Sequence, residues 1–265
     1  MAINDGDELI SVPFKACVFL IGVLPSSALF LCVSLAMLLH WDDSTRTHCG
    51  VDNLFPSVSA AVASYAPEKY IWRFLIGLHA TPRLFIALAL RNFFLSSPLR
   101  PYTSPRWYTW ACNIACFINL LENFFLLALT CISSVEDYGL HKASFTGFVI
   151  TSVIYMVLST WMFDYSGRRR TSVLGEKSFQ YKVMCCTGEV TLLILAMYFF
   201  YRHNTYCEPY VYSMFALCEY AIIIFNILFH ATVHYDFHSK RISLNSIVGN
   251  MYEPLPLHNY EEKRT

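Results

Sequence analysis

The chain has 265 residues, of which 55% are hydrophobic, 16% aromatic and only 14% charged. A soluble domain carries about a quarter charged residues, so this composition excludes an ordinary soluble enzyme and describes an integral membrane protein. Basic and acidic residues balance at 19 each, and no K/R-rich run exceeds Arg168–Arg170, so no nucleic-acid partner is expected.

A bilayer core of ~30 Å takes about 20 helical residues. Six segments qualify: 15–40, 70–91, 107–131, 144–164, 182–201 and 210–232. The expected fold is therefore an all-α, polytopic membrane bundle of six transmembrane helices over residues 1–240, with a disordered tail at 241–265. The first block has an acidic flank (DGDELI) and no small-residue cleavage site, which makes it a retained helix and not a removed signal peptide. An even number of spans puts both termini on one side. The loops on that side, with the termini, hold thirteen of the 19 basic residues, whereas the opposite side holds four, Arg46, Lys69, Lys142 and Arg202. The bias places both termini in the cytosol.

The largest loop away from the termini, 41–70, is then lumenal and carries Cys49, and the short loop RHNTYCEP carries Cys207. In an oxidising lumen a Cys49–Cys207 disulfide is expected, the alternative being two free thiols. Cys185–Cys186 lies near the cytosolic face, where palmitoylation is an option.

The second span contains RFLIGLHATPR, with Arg73, His79 and Arg83 in an otherwise apolar run. The third carries Asn119, Glu122 and Asn123, the fifth Glu189, and the sixth Glu219, Asn226 and His230. Counted from the lumenal helix ends, His79, Glu122 and Glu219 each lie nine residues down, about 14 Å at 1.5 Å per residue, with Arg83 and Glu189 one turn deeper. His79 and Arg83 are i,i+4 and share a helix face. Pro82 disturbs the carbonyl of Leu78 beside His79. Lone charges in hydrocarbon cost several kcal/mol, so these groups must meet one another or line a wet cavity. Helix-pinning pairs such as Arg83–Glu189 and His79–Glu122 would satisfy that demand, but five groups on one level point to a site.

A histidine beside a carboxylate can serve as a general base, and an arginine can hold a phosphate. Those parts suit acyl transfer to a lipid hydroxyl. No Gly-x-Ser-x-Gly elbow supports a serine hydrolase. His203 and Glu208 have the spacing of the His-x4-Asp acyltransferase signature, with Glu for Asp, a match that chance explains more easily. Three histidines at one depth are lacking, so no metal site is expected.

Several longer words carry a resemblance: YIWRFLIGLHATPR (70–83), LLENFFLLALTCISSVEDYGLH (120–141), YFFYRHNTYCEPYVYSMFALCEY (198–220) and FHATVHYDF (229–237), with THCGV and LFPSVSAA in the lumenal loop. In collinear order over about 14–240 they resemble the post-GPI-attachment-to-proteins factor 2 family. The resemblance implies a multi-pass protein of the Golgi membrane, or also of the endoplasmic reticulum membrane. It further implies a role in GPI-anchor fatty-acid remodelling, in which lyso-GPI regains a saturated, stearoyl-type sn-2 chain from an acyl donor, acyl-CoA or phospholipid. GPI-anchored proteins, and the phospholipase of the preceding step, are the implied partners. On this reading Arg73 and Arg83 hold the inositol phosphate, and His79 with Glu122 or Glu219 removes the sn-2 hydroxyl proton, while Asn119, Asn123, Glu189 and His203 contact substrate. The competing class is non-enzymatic, a lipid-binding scaffold or transporter that presents lyso-GPI or the acyl donor to another enzyme. Tyr252–Leu255 in the tail fits a tyrosine sorting signal, and plain disorder is the stronger reading.

Overall fold

A computed structural model describes residues 8–97, 106–238 and 240–245. The chain enters as strand β1 (Glu8–Pro13), continues into α1 (Phe14–Leu39), and makes two short helices, α2 (Trp41–Thr45) and α3 (Val58–Ala63). Five longer helices follow: α4 (Glu68–Leu95), α5 (Arg106–Cys131), α6 (Tyr138–Tyr165), α7 (Val173–Tyr206) and α8 (Val211–Ala231). The single turn α9 (Val233–Asp236) and strand β2 (Arg241–Asn245) close the described chain.

Six helices are long and apolar enough to cross a membrane: α1, α4, α5, α6, α7 and the α8–α9 unit. Each packs on the next in chain order, and α8 returns to α1, so the six form a closed ring. The burial pattern suits lipid as the surrounding solvent. Phe30, Leu38 and Trp110 point outward, 72%, 79% and 67% exposed, while Arg83 and Glu122 are buried inside. Bilayer tails are as apolar as these side chains, so packing inside the ring depends on close approach and polar contacts. A β-carbon at Gly188 of α7 would come within 2.8 Å of the Phe225 ring on α8, which shows how closely those two helices approach.

Local signals set the helix starts. Ser57 accepts from the Ala60 amide at α3, Asp137 from that of Leu140 at α6, and Ser172 from that of Gly175 at α7. Each satisfies an amide that the first turn leaves unpaired. Pro82 lies inside α4, which continues through it.

Three features differ from the sequence expectation. Helix α7 runs 34 residues, where residues 182–201 were expected, because its polar ends continue the helix at both termini. That extension takes Lys182 out of the expected loop and into the bundle, where it is buried against Asp236 at 2.8 Å. Ser178 completes the contact, donating to Asp236 at 2.6 Å. Finally, residues 241–245, expected to be disordered, pair with β1 as an antiparallel ribbon that joins the two chain ends. The Tyr252–Leu255 motif lies outside the described residues.

Candidate functional site

The ring interior holds a polar cluster built by five helices. Arg83 on α4 meets Glu122 on α5 at 3.0 Å, with side chains 2% and 0% exposed. His230 on α8 completes a triangle, its Nε2 3.0 Å from the same Glu122 oxygen and 2.7 Å from Arg83 Nη2. The ring of Tyr155 on α6 stacks on His230 at 5.5 Å and 7°. Asn226, one turn before His230, donates to Glu122 at 3.0 Å and to Ser152 of α6 at 2.8 Å. Ser152 in turn donates to Glu189 of α7 at 2.7 Å. A continuous chain of polar contacts thus runs Arg83–Glu122–Asn226–Ser152–Glu189 across the bundle.

His79 is buried beside this chain, one turn from Arg83, with the backbone carbonyl of Ile21 on α1 against its ring. Asn123 donates to the Ala80 carbonyl at 3.0 Å, tying α5 to α4. Asn119 faces a cavity of about 10 Å³ that it shares with Tyr155 and Arg91, roughly one water in size.

The cluster is only partly satisfied within the protein. Among the described residues, six of its buried atoms have no hydrogen-bond partner: His79 Nδ1, Arg83 Nε and Nη1, Glu122 Oε2, Asn123 Oδ1 and Glu189 Oε2. Each such atom in a packed interior costs about 1–3 kcal/mol. A set built only to pin helices has no use for free valences, whereas a set that receives a polar head group does. On the outer side, α1 and α8 flank an open apolar groove of about 1000 Å³, lined by Leu20, Gly22, Ser26, Ile227 and Ala231 among others. Ile21, whose carbonyl meets the His79 ring, and Asn226 of the cluster are each adjacent in sequence to a groove residue.

The remaining expected site residues lie elsewhere. Arg73 makes a two-bond contact with Glu136, at 3.0 and 2.8 Å, in the α5–α6 loop. Glu219 accepts from the Val58 amide at 2.8 Å and so caps α3. It is eleven residues from His230, a rise of about 16 Å along α8, so it cannot share the cluster's level. His203 is buried at the end of α7, and Glu208, which has the His-x4-Asp spacing from it, binds Arg202. Cys49 and Cys207 are joined by a disulfide, their Cα atoms 5.3 Å apart.

His230, Tyr155 and Ser152 were not singled out as site residues from the sequence. The i,i+4 pair Asn226/His230 was the available signal for the first, and counting helix ends hid it. Glu68 is a further buried carboxylate that the sequence reading passed over, fully enclosed at the start of α4 with His40 at 3.6 Å.

Comparison with known proteins adds an independent observation. The family described as Frag1/DRAM/Sfk1/Cwh43P N-terminal domain matches residues 13–240. The chain is 57% identical to "Post-GPI attachment to proteins factor 2" of Caenorhabditis briggsae, over 97% of both chains. It is 34% identical to "Acyltransferase PGAP2" of Xenopus tropicalis, over 91% of this chain and 94% of that one. It is also 34% identical to "Post-GPI attachment to proteins factor 2" of Drosophila melanogaster, over 88% and 89%. No solved structure matches.

Proposed function

This chain belongs to the post-GPI attachment to proteins factor 2 family, and from that premise we propose that it remodels the lipid of GPI anchors, returning a saturated acyl chain to the sn-2 hydroxyl of a lyso-GPI. The supporting observation is the buried cluster around Arg83 and Glu122, whose free polar atoms suit a head group in an otherwise apolar bundle.

In this reading Arg83 binds the inositol phosphate through Nε and Nη1, which have no hydrogen-bond partner among the described residues. Glu122 and His230 hold the guanidinium in place from the other side. His79 Nδ1 takes the proton from the sn-2 hydroxyl as its oxygen attacks the carbonyl carbon of the donor ester or thioester. The bond from that carbon to the leaving oxygen or sulfur breaks, and the leaving group recovers the proton. Either acyl-CoA or a phospholipid meets this balance. The α1–α8 groove offers an apolar slot for the chain. The setting is the Golgi membrane, with the endoplasmic reticulum membrane as a second site. The partners are GPI-anchored proteins and the phospholipase that produces the lyso form.

One observation favours a second reading, lipid presentation without turnover. Arg83, Glu122 and His230 are enclosed in this conformation, with side chains at most 6% exposed. Purified protein given lyso-GPI with acyl-CoA or a phospholipid donor separates the two. Formation of diacyl GPI that Arg83→Gln abolishes supports catalysis. Tight lyso-GPI binding with no product from either donor supports presentation and removes the catalytic roles.

A further inference from the structure

A second group of chemically competent side chains lies at the end of the bundle away from the chain termini, remote from the cluster just described. His203 and Cys207 occupy the last turn of α7, four residues apart, and the Cys207 amide donates to the His203 carbonyl. The α2–α3 connection brings His48 and Cys49 against them. One ligand atom from each of His48, Cys49 and His203 lies within 4.8 Å of the others, and Cys207 is bonded to Cys49. The two imidazoles meet edge to face, with ring centres 5.4 Å apart.

His203 is the telling residue. It is fully buried, with 0% exposure, and neither of its ring nitrogens has a hydrogen-bond partner among the described residues. Tyr212 covers it on another side with ring centres 4.9 Å apart, contributing packing and no bond to nitrogen. A neutral imidazole has one donor and one acceptor, and burying both unpaired is unfavourable. A nitrogen held this way, with a second imidazole and the Cys49 sulfur within 4.8 Å, is available to a metal ion.

We propose that His48, Cys49, His203 and Cys207 form a redox-gated site for a single zinc-class divalent metal ion, filled when the Cys49–Cys207 disulfide is reduced. The donor set is two cysteines and two histidines, the composition of closed tetrahedral zinc sites. Zn–N bonds of about 2.0 Å and Zn–S bonds of about 2.3 Å put neighbouring donors roughly 3.3–3.8 Å apart. The ligand atoms of His48, Cys49 and His203 are within 4.8 Å of one another, and Cys207 is held beside them by its bond to Cys49; His48, which is exposed, closes on the group as the two sulfurs separate once their bond is cut.

The chemistry balances with a dithiol as reductant. The dithiol transfers two electrons and two protons to the disulfide, which becomes two thiols, and is itself oxidised to a disulfide. Metal binding then releases the two thiol protons, and both sulfurs bind as thiolates. In the reverse direction a disulfide oxidant accepts two electrons and two protons to become two thiols, the Cys49–Cys207 bond re-forms, and the ion leaves. The site would therefore exchange one cross-link between the α2–α3 connection and α7 for another.

The test uses full-length protein in detergent, with Co²⁺ as the probe. Protein reduced with dithiothreitol, then freed of it without air, is titrated with Co²⁺ beside unreduced protein. Expected are one Co²⁺ per chain in the reduced sample, the visible bands of tetrahedral cobalt with a thiolate charge-transfer band, and displacement of the cobalt by Zn²⁺. Unreduced protein gives no charge-transfer band. His48→Ala, at an exposed position, weakens binding at least about tenfold, as does His203→Gln. Absence of stoichiometric uptake by reduced protein overturns the proposal. So does cobalt bound without the charge-transfer band, or binding that neither histidine variant changes.

Discussion

Arg83 and Glu122 face each other at 3.0 Å across α4 and α5, both enclosed, with His230 closing the triangle. A carboxylate and a guanidinium in this setting depend on each other, because desolvation of either alone is not repaid. Arg83→Met or Glu122→Leu is therefore expected to destabilise the bundle by about 3–5 kcal/mol. The double variant Arg83→Met/Glu122→Leu should lose much less than the sum of its single changes. Thermal unfolding in detergent, arranged as a double-mutant cycle, measures the coupling.

Breaking the second buried pair should mimic this without touching the lipid chemistry. Lys182 and Asp236 are 3% and 1% exposed at 2.8 Å. Lys182→Met leaves Asp236 with Ser178 as its remaining side-chain polar contact among the described residues and is expected to cost about 3–5 kcal/mol. Protein that survives purification should still support GPI remodelling per folded molecule.

Glu219 carries a different expectation. Its carboxylate accepts from the Val58 amide at the start of α3, so Glu219→Ala removes a helix cap worth about 1 kcal/mol. Hydrogen exchange should quicken in residues 57–63 and stay unchanged around Glu122. Faster exchange at Glu122 would put Glu219 back in the cluster.

At the α5–α6 loop the pairing predicts a pH dependence. Glu136 is pulled down to about 2, first by the Ser133 amide and then by Arg73. A depressed carboxyl contributes stability that is present above its unfolded value, near 4.5, and lost as pH falls through the folded value. Exchange protection of residues 133–137 should thus hold at pH 5 and fall away between about 4.5 and 2. Arg73→Ala should move the loss to higher pH.

How much of this was legible beforehand follows from what each residue depends on. Six apolar runs of bilayer length determine the spans, and the impossibility of lone charges in hydrocarbon made Arg83, Glu122 and Glu189 seek company; the structure joins them through Ser152 and Asn226. The pairing differs from the helix-pinning alternative. Arg83 meets Glu122, not Glu189, since register between helices is a property of packing and not of composition. Depth counting failed for Glu219 and His230 because it treats helix ends as coplanar. His230, far along α8 from Val211, meets Glu122 of α5, whereas Glu219 meets the α3 start. Ser152 and Tyr155 lie in an apolar stretch without any charge to mark them. The β1–β2 ribbon depends on pairing two distant chain ends, which local propensity does not reveal.

The central claim, that the Arg83–Glu122–His230 cluster with His79 serves GPI remodelling, is tested most directly in cells lacking this protein. His79→Ala and Arg83→Lys, expressed at the level of the unaltered chain and checked for folding, are compared with Glu219→Gln by mass spectrometry of GPI lipids. The expected result is saturated sn-2 chains restored by Glu219→Gln and lyso or unremodelled GPI with His79→Ala and Arg83→Lys. Full restoration by both cluster variants would contradict the claim.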